Sequence, residues 1–281
     1  MRSLQILGSK KILVSFVILL AYVLIGMSAP YIAPYDPNEQ HYQDAYKPPF
    51  FTSGDWRYLL GTDSLGRDIY SRVLYGARPA LFVGVVGAFF AALIGVSLGI
   101  ISGYYSVRIG EVIMRLVDIW LSLPAVVFSI CLIAVLGIGL GNVAIAVIVI
   151  DWTRFARVVR SEVLNLKERE FVLAAKAIGM SGFGIIRKEI LPNLLPLLTV
   201  LFTLEMSIAI SVEVLLSFAG LGVKPTEPSW GSMIAEGLTY FRTSFWGACI
   251  PLIAVIIIIL ALNYLGDGLR ERMDPRLLVI R

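Results

Sequence analysis

Histidine, cysteine and charge are all scarce in this 281-residue chain. The one histidine, His41, and the two cysteines, Cys131 and Cys249, are too few to build a zinc cluster or a histidine-based catalytic dyad from this chain alone. A GxxxxGK[ST] phosphate loop is also missing, because no glycine is followed by a lysine anywhere in the sequence. These absences argue against a metalloenzyme and exclude ATP binding through a phosphate loop of that type.

Few residues are charged, and long uncharged runs take up much of the chain. Only 16% of the residues are charged, whereas 58% are hydrophobic. The runs reach or exceed the roughly 20 residues that a spanning helix needs, and glycines near Asn142 divide the longest of them. The sequence therefore predicts an all-α polytopic membrane protein with six transmembrane helices. The predicted spans are residues 12–29, 79–103, 112–136, 141–158, 194–219 and 247–266.

The distribution of lysine and arginine predicts the orientation. If the N-terminus is cytoplasmic, 17 of the 24 basic residues lie on the cytoplasmic side, and six spans return the C-terminus to that side. The net charge of +4 then reflects topology and contact with anionic lipid, and no soluble nucleic-acid-binding module is recognisable. The predicted parts are a cytoplasmic N-terminus with the first span, an outer loop, a core of five spans with a cytoplasmic loop, and a cytoplasmic tail. Their ranges are 1–29, 30–78, 79–266 with the loop at 159–193, and 267–281.

The outer loop has two parts of different character. Its first part is rich in proline and turn residues and is predicted to be irregular. Its second part predicts a short helix, capped by Thr62 or Asp63, in which Ile69, Val73 and Leu74 share an apolar face. That helix either seats the second span or helps to form an outer entrance.

The most informative stretch is a polar, basic insert, residues 170–193, between two apolar segments. Ala174 and Ala175 place minimal side chains on a predicted short helix. Gly179 suits the left-handed turn that would end this helix, and Pro192 is predicted to block helix formation before the chain returns to the membrane. A bare helix surface of this kind can enter a groove on a partner.

Two apolar anchors and a charged rim complete the predicted docking surface. Phe171 and Leu173 are the anchors, and Arg169, Glu170 and Lys176 are the rim. An ordinary amphipathic surface helix followed by a turn is the alternative interpretation.

The spacing of these residues resembles the EAA loop of permeases in ABC importers. The order is Ala174-Ala175, then Gly179, then Leu191-Pro192. Three further motifs resemble the C-type permease subunit of the dipeptide, oligopeptide and nickel importers. They are APYDPNEQ at 33–40, LGTDSLGRDIYSR at 60–72 and SFAGLGVKPTEPSWG at 217–231. The sequence departs from the family pattern at Leu173, where the family has a glutamate, and Glu170 is a possible substitute.

The resemblance implies an ABC importer type I permease fold in a bacterial or archaeal cell membrane, and a non-catalytic subunit. Its implied partners are a second homologous permease, two ABC ATPase subunits that bind ATP and Mg, and an extracytoplasmic substrate-binding protein. The insert would be the cytoplasmic coupling helix that contacts an ATPase. Its implied coupling residues are Glu170, Phe171, Leu173, Ala174, Ala175, Lys176, Gly179 and Pro192.

The resemblance also suggests the cargo, which is dipeptides or oligopeptides, with nickel or a nickel chelate as the alternative. Sugars and glutathione pass through other relatives. An intramembrane hydrolase and a passive channel are disfavoured, the first by the missing nucleophile and metal motifs and the second by the elaborate polar insert.

Charged residues inside predicted spans are costly and therefore informative. Glu205 and Glu213 lie on the fifth span about 80° apart around a helix, so both can face one cavity and meet the ammonium group of a peptide. The alternative is that they bond polar groups of a neighbouring span or of the second permease.

Other spacings in the spans predict local contacts. Arg115 with Asp118, and Asp151 with Arg154, are three residues apart and suit ion pairs within one helix. Small residues at every fourth position let helix backbones approach closely, and this spacing occurs at Gly95, Gly99 and Gly103.

Overall fold

The computed structural model describes residues 10–273, and apart from one isolated β-bridge all regular structure in that range is helical. The helices are α1 (Lys10–Ile32), α2 (Phe50–Ser53), α3 (Ile69–Tyr104), α4 (Val107–Ser122), α5 (Ala125–Leu136), α6 (Leu140–Leu166), α7 (Glu170–Ala177), α8 (Gly182–Phe218), α9 (Trp230–Thr239) and α10 (Trp246–Met273). A 3-10 turn lies at Tyr42–Asp44, and single π-helical turns interrupt α3 at Val83–Gly87 and α8 at Ile186–Ile190. The prediction of an all-α membrane protein is confirmed.

Four helices, α1, α3, α8 and α10, are long and apolar enough to cross a membrane. Helices α4 and α5 together form a fifth candidate, but they meet at an angle of 89°. The prediction of one uninterrupted helix over 112–136 is therefore wrong. Leu123 is extended, with ψ of 134°, because the ring of Pro124 disfavours a helical conformation in the residue before it.

The predicted span 141–158 lies within α6, which continues to Leu166. Residues 10–273 contain no further helix that qualifies as a span by length and composition, so α6 does not add to the four or five candidates. Five charged residues make α6 more polar than the candidate spans, and they are Asp151, Arg154, Arg157, Arg160 and Glu162. Helix α3 packs along it and buries one of its faces.

The predicted outer helix and the predicted second span are one helix of 36 residues, α3, so the expected boundary at 78/79 falls inside it. The predicted caps were wrong. The side chain of Asp68 caps α3 by accepting a hydrogen bond from the Ser71 N–H at 2.8 Å. Asp63 instead holds the preceding turn, accepting hydrogen bonds from the N–H groups of Leu65 and Arg67.

The glycine repeat on α3 packs against α6 of the same chain. A Cβ atom on Gly95 would lie 2.3 Å from the Trp152 carbonyl oxygen. On Gly99 it would lie 2.7 Å from Val159 Cβ, and the corresponding contact of Gly103 is also too short for a side chain. The predicted close approach is confirmed, and its partner is now identified.

The remaining helices close the bundle around α10. The Tyr22 hydroxyl of α1 donates a hydrogen bond to the Ala254 carbonyl oxygen at 2.9 Å, and Lys11 forms an ion pair with Glu271 at 2.5 Å. The beginning of α1 and the end of α10 therefore lie at the same end of the bundle. Helix α10 reaches Met273, so the first part of the predicted tail 267–281 is helical. The rest of that tail, and residues 1–9 of the predicted N-terminal region, lie outside the described residues.

Candidate coupling and translocation site

The polar insert forms a short helix with a well-defined end. Helix α7 covers Glu170–Ala177, and Gly179 follows it with φ of +80°. The Gly179 N–H donates to the Lys176 carbonyl oxygen and the Met180 N–H to that of Ala175, which together make a Schellman motif. The predicted left-handed turn at Gly179 is confirmed. The segment that links α6 to α8 is only 167–181, shorter than the predicted loop 159–193.

One face of α7 is packed against the bundle. Val172 is fully buried and Ala175 is 5% exposed, both in a cluster with residues of α6 and α8. The apolar members of that cluster include Val159, Val163, Leu166, Ile185, Ile190 and Leu194. The expectation that Ala174 and Ala175 both lie on the free surface is therefore wrong for Ala175. Its small size allows α7 to pack closely on the bundle.

The other face of α7 is an exposed apolar surface, which we call the docking patch. It consists of Phe171, Ala174, Ile178 and, from the start of α8, Phe183. The first three share one side of the helix by their spacing of three and four residues. Ile178 is 79% exposed and Phe183 is 70% exposed. Sequence reasoning missed these two, although an isoleucine directly before a helix-ending glycine was a usable signal.

Of the predicted rim residues on α7, Glu170 lies beside this patch, whereas Lys176 lies on the opposite side of the helix. Glu170 and Lys176 are exposed, as is the anchor Leu173 at 46%. The Lys176 ammonium group lies 6.0 Å above the ring of Tyr104, so it leans toward the end of α3.

Pro192 does not interrupt the helix as predicted. Helix α8 runs without a break from Gly182 to Phe218 and passes through it. The π turn at Ile186–Ile190 lies directly before Pro192 and changes the local hydrogen-bond register, which lets the helix continue where an N–H is missing. The Asn193 side-chain amide donates to the Glu189 carbonyl oxygen at 2.6 Å and satisfies an acceptor there. Pro192 is exposed, but it lies on α8 and not in the turn.

Glu205 belongs to a buried ionic group that joins α8 to α6. The Arg154 guanidinium lies 3.2 Å from Glu205 and 3.7 Å from Asp151. Both carboxylates are 3% exposed, whereas Arg154 is partly exposed. The predicted pairing of Asp151 with Arg154 is confirmed, and the alternative in which Glu205 bonds a neighbouring helix describes this structure.

Glu213 is fully buried and accepts a hydrogen bond from the hydroxyl of Ser217, one turn later on α8, at 2.7 Å. Its second carboxylate oxygen has no hydrogen-bond partner within the described part of the chain. Neither Glu205 nor Glu213 thus has appreciable surface in contact with solvent. A role for the pair in the pathway stays a prediction that requires helices to move apart.

Arg115 and Asp118 do not form the predicted ion pair on α4. Asp118 instead pairs with Arg157 of α6. Because α4 and α6 pack together, a partner on the neighbouring helix is as accessible as one on the same helix.

An ionic network fixes residues 33–68, the main part of the predicted outer loop and called the outer segment below, to the bundle. Arg67 donates to Asp63 at 2.6 Å and to Glu236 of α9 at 2.5 Å, and Arg72 of α3 lies 3.2 Å from Asp63. The Trp246 indole N–H donates to the Thr62 carbonyl oxygen at 3.3 Å. The motif 60–72 therefore builds a folded connection between α3 and the α9–α10 region.

Surface carboxylates of the outer segment are also engaged. Hydrogen bonds from Arg57 lower the pKa of Asp55 to about 2, and hydrogen bonds from Lys47 and Tyr58 lower the pKa of Asp44. Both folded-state pKa values are depressed, so these contacts stabilise the segment at neutral pH. That stabilisation is lost as the pH falls from roughly 4 through the folded-state values.

Two known protein families match most of the chain. The family described as binding-protein-dependent transport system inner membrane component matches residues 95–279. A second family, the N-terminal TM domain of oligopeptide transport permease C, matches residues 7–49.

Individual relatives are similar over nearly the whole chain. The di/tripeptide transport system permease protein DppC of Pseudomonas aeruginosa is 37% identical over 260 residues, 92% of this chain and 86% of the relative. The oligopeptide transport system permease protein OppC of Bacillus subtilis is 37% identical over 274 residues, 98% of this chain and 88% of the relative. Among solved structures, a chain of the MetNI methionine ABC transporter in an inward-facing conformation matches with a TM-score of 0.62 at 19% identity. That match covers 73% of this chain and 98% of the other, and it shows a shared fold.

Proposed function

Since this chain belongs to the family of binding-protein-dependent transport system inner membrane components, we propose that it is one of two permease subunits of an ATP-driven peptide importer. Family membership confirms the expected class, a non-catalytic membrane component of a transporter. The expected C-type subunit is confirmed as well, because the relatives are permeases of dipeptide and oligopeptide systems.

The docking patch is the observation that carries the coupling part of this proposal. Phe171 and Ile178 expose apolar surface on the segment that links α6 to α8, and Phe183 exposes apolar surface at the start of α8. The exposed carboxylate Glu170 borders it on α7, so the patch is an apolar surface with a charged edge, as expected of a partner-binding surface. An ATPase subunit is the partner that the family membership implies.

Force applied at the docking patch has a direct route into the bundle. Val172 and Ala175 pack on the same cluster as Val163 of α6 and Ile190 of α8, so α7 cannot shift without moving both helices. We therefore propose that ATP-driven closure of the two ATPases displaces α7, and that α6 and α8 move with it. Alternating access of the cavity between the two permeases would follow.

A peptide is the proposed cargo because the relatives' names specify di/tripeptides, dipeptides and oligopeptides. Nickel or a nickel chelate is the alternative. Residues 10–273 contain no group of three or more histidine, cysteine, aspartate or glutamate side chains placed to hold a metal ion. A chelated metal would not need such a group. Measured uptake of peptide and of nickel must therefore distinguish the two cargoes.

The cargo is tested by uptake in a strain that lacks only this subunit. Labelled dialanine and labelled nickel are measured in parallel, with the deletion strain complemented by the intact chain as the control. We expect dialanine uptake to be lost on deletion and restored by complementation, while nickel uptake stays constant. Unchanged dialanine uptake, or loss of nickel uptake alone, would overturn the proposed cargo.

A further inference from the structure

Helix α4 carries two different exposed stripes. Arg108, Glu111, Arg115 and Asp118 are all exposed and follow one another at spacings of three and four residues, so they share one side of the helix. Ile109, Val112, Leu116 and Ile119 form a second exposed stripe, rotated from the first by about 100°. A third side, with Gly110 and Val117, is buried against the bundle.

The charged stripe runs along the bundle on a helix that, together with α5, is apolar enough to cross a membrane. At its beginning, a Cβ on Gly110 would lie 2.4 Å from the Ser102 carbonyl oxygen, near the end of α3. At its far end, the Trp120 indole N–H donates to the Val149 carbonyl oxygen at 2.7 Å, beside the middle of α6. The stripe therefore runs from the end of the bundle that holds α7 to about half the length of α6.

Lipid is an unfavourable environment for the deeper part of this stripe. One charged side chain at the centre of a bilayer costs about 3 kcal/mol, and of the four on this face of α4, Arg115 and Asp118 lie farthest from the end of the bundle that holds α7. The neighbouring stripe of isoleucine, valine and leucine suits lipid or an apolar partner surface. The two stripes thus face two different environments, and the charged one requires water or charged groups.

The signs along the stripe alternate from the beginning of α4 to its end. Asp118 pairs with Arg157, but Arg108, Glu111 and Arg115 form no ion pair within the part of the chain that the structure describes. A protein interface would bury these charges at a cost unless the partner supplied opposite charges, whereas a water-filled passage leaves them solvated.

We propose that the charged stripe of α4 lines the inner half of the translocation pathway and contacts a zwitterionic peptide in transit. This inference rests on the proposed function. A zwitterion meets an opposite charge for its ammonium and its carboxylate group about every turn of the helix. Equal numbers of both signs keep the surface from holding either end tightly, so the cargo can leave. The Asp118–Arg157 pair lies at the end of the stripe that is farthest from α7.

Labelling of single cysteines tests this assignment in the assembled transporter. The background carries Cys131→Ser and Cys249→Ser, and each variant adds one cysteine on either stripe. Glu111→Cys and Arg115→Cys report on the charged stripe, whereas Val112→Cys and Leu116→Cys are the matched controls. The reagent is a membrane-impermeant charged thiosulfonate, applied to inside-out vesicles with and without dialanine.

We expect cysteines on the charged stripe to react several-fold faster than those on the apolar stripe, and dialanine to slow them. Equal, slow labelling of both stripes would overturn the proposal, as would labelling of the charged stripe that dialanine does not slow. The labelling rates of the two stripes measured without dialanine do not depend on which cargo the transporter carries. If the intact transporter fails to import dialanine, the proposed function fails while the labelling still decides whether the stripe faces water.

An uptake measurement covers the case in which the cysteine variants do not assemble. Arg115→Gln removes one charge of the stripe and retains the length of the side chain, and Leu116→Met is the control on the apolar stripe. We expect Arg115→Gln to reduce dialanine uptake several-fold, with co-purification of the complex unchanged. Normal uptake in Arg115→Gln would contradict a contact with the cargo.

Discussion

Arg154 is shared by two buried carboxylates, and this sharing determines how the group responds to substitution. Glu205→Leu removes the closer partner. Breaking a buried ion pair costs roughly 3–5 kcal/mol, and we expect about 1–3 kcal/mol here because Arg154 is one-third exposed and keeps Asp151. The melting temperature of the purified complex should fall accordingly.

The double variant Arg154→Met with Glu205→Leu provides the control for that experiment. Replacing both members of the pair by apolar residues leaves Asp151 as the one uncompensated charge, so we expect only part of the melting temperature to return. If the melting temperature falls equally in the single and the double variant, the stability of the α6–α8 contact does not depend on this pair.

Ala174 and Ala175 are adjacent residues with opposite environments. Ala174→Arg places bulk and charge on the docking patch without disturbing the packing of α7. We expect at least about tenfold loss of peptide uptake, equivalent to about 1.4 kcal/mol of binding, while the complex retains ATP hydrolysis that is no longer coupled. Parallel assays of ATP hydrolysis and uptake in proteoliposomes measure both.

Two matched substitutions control for that result. Ala174→Ser should leave coupling intact because it adds one small polar atom. Ala175→Arg should instead prevent assembly, because its side chain would enter the buried cluster. Coupled transport at the normal rate in Ala174→Arg would contradict the docking role of the exposed face.

At the scale of helices, the packing of α3 on α6 depends on glycine. Gly99→Leu places a side chain where Val159 Cβ would be 2.7 Å from its Cβ. The two helices must separate, and overpacking of this kind costs about 1–3 kcal/mol. Gly141→Ala is the control, because no atom lies within 4 Å of its Cβ position and alanine favours a helix. The melting temperature should fall for Gly99→Leu and should not fall for Gly141→Ala.

The outer segment is a second element whose attachment can be tested. Asp63 accepts hydrogen bonds from its own turn and ion pairs with Arg67 and Arg72. Asp63→Ala should release the segment and leave two largely buried arginines with one acidic partner, Glu236. We expect trypsin to cleave after Arg57 several-fold faster, because Lys47 is followed by Pro48 and is not a trypsin site. Unchanged cleavage would show that the apolar contacts alone hold the segment.

Prolines show why some elements were predictable and others were not. The sequence predicted an unbroken helix through Pro124 and a break at Pro192, and the structure has the reverse. Proline removes one N–H in both cases, but at Pro192 a preceding π turn changes the hydrogen-bond register. The sequence patterns used to predict helices here do not reveal a π turn, so the continuation through Pro192 was not predicted.

At the scale of the whole molecule, the sequence predicted the fold class and the family because both depend on repeated or extended signals. Apolar runs, the glycine spacing and four separate motifs agreed with one another. Contacts between distant residues were not predictable, which is why the partners of Glu205 and Asp118 were found only in the structure. The exposed members Ile178 and Phe183 of the docking patch required the fold of α7 and α8 together.

Cross-linking from the docking patch tests the central claim most directly. Ile178→Cys is introduced with both native cysteines replaced by serine, and a short thiol-reactive cross-linker is applied to the assembled transporter. Phe245→Cys, exposed at the opposite end of the bundle beside the outer segment, is the control. We predict that Ile178→Cys captures an ATPase subunit, identified by mass spectrometry, and that Phe245→Cys does not. Capture of no ATPase from Ile178→Cys in a complex that still hydrolyses ATP would contradict the account.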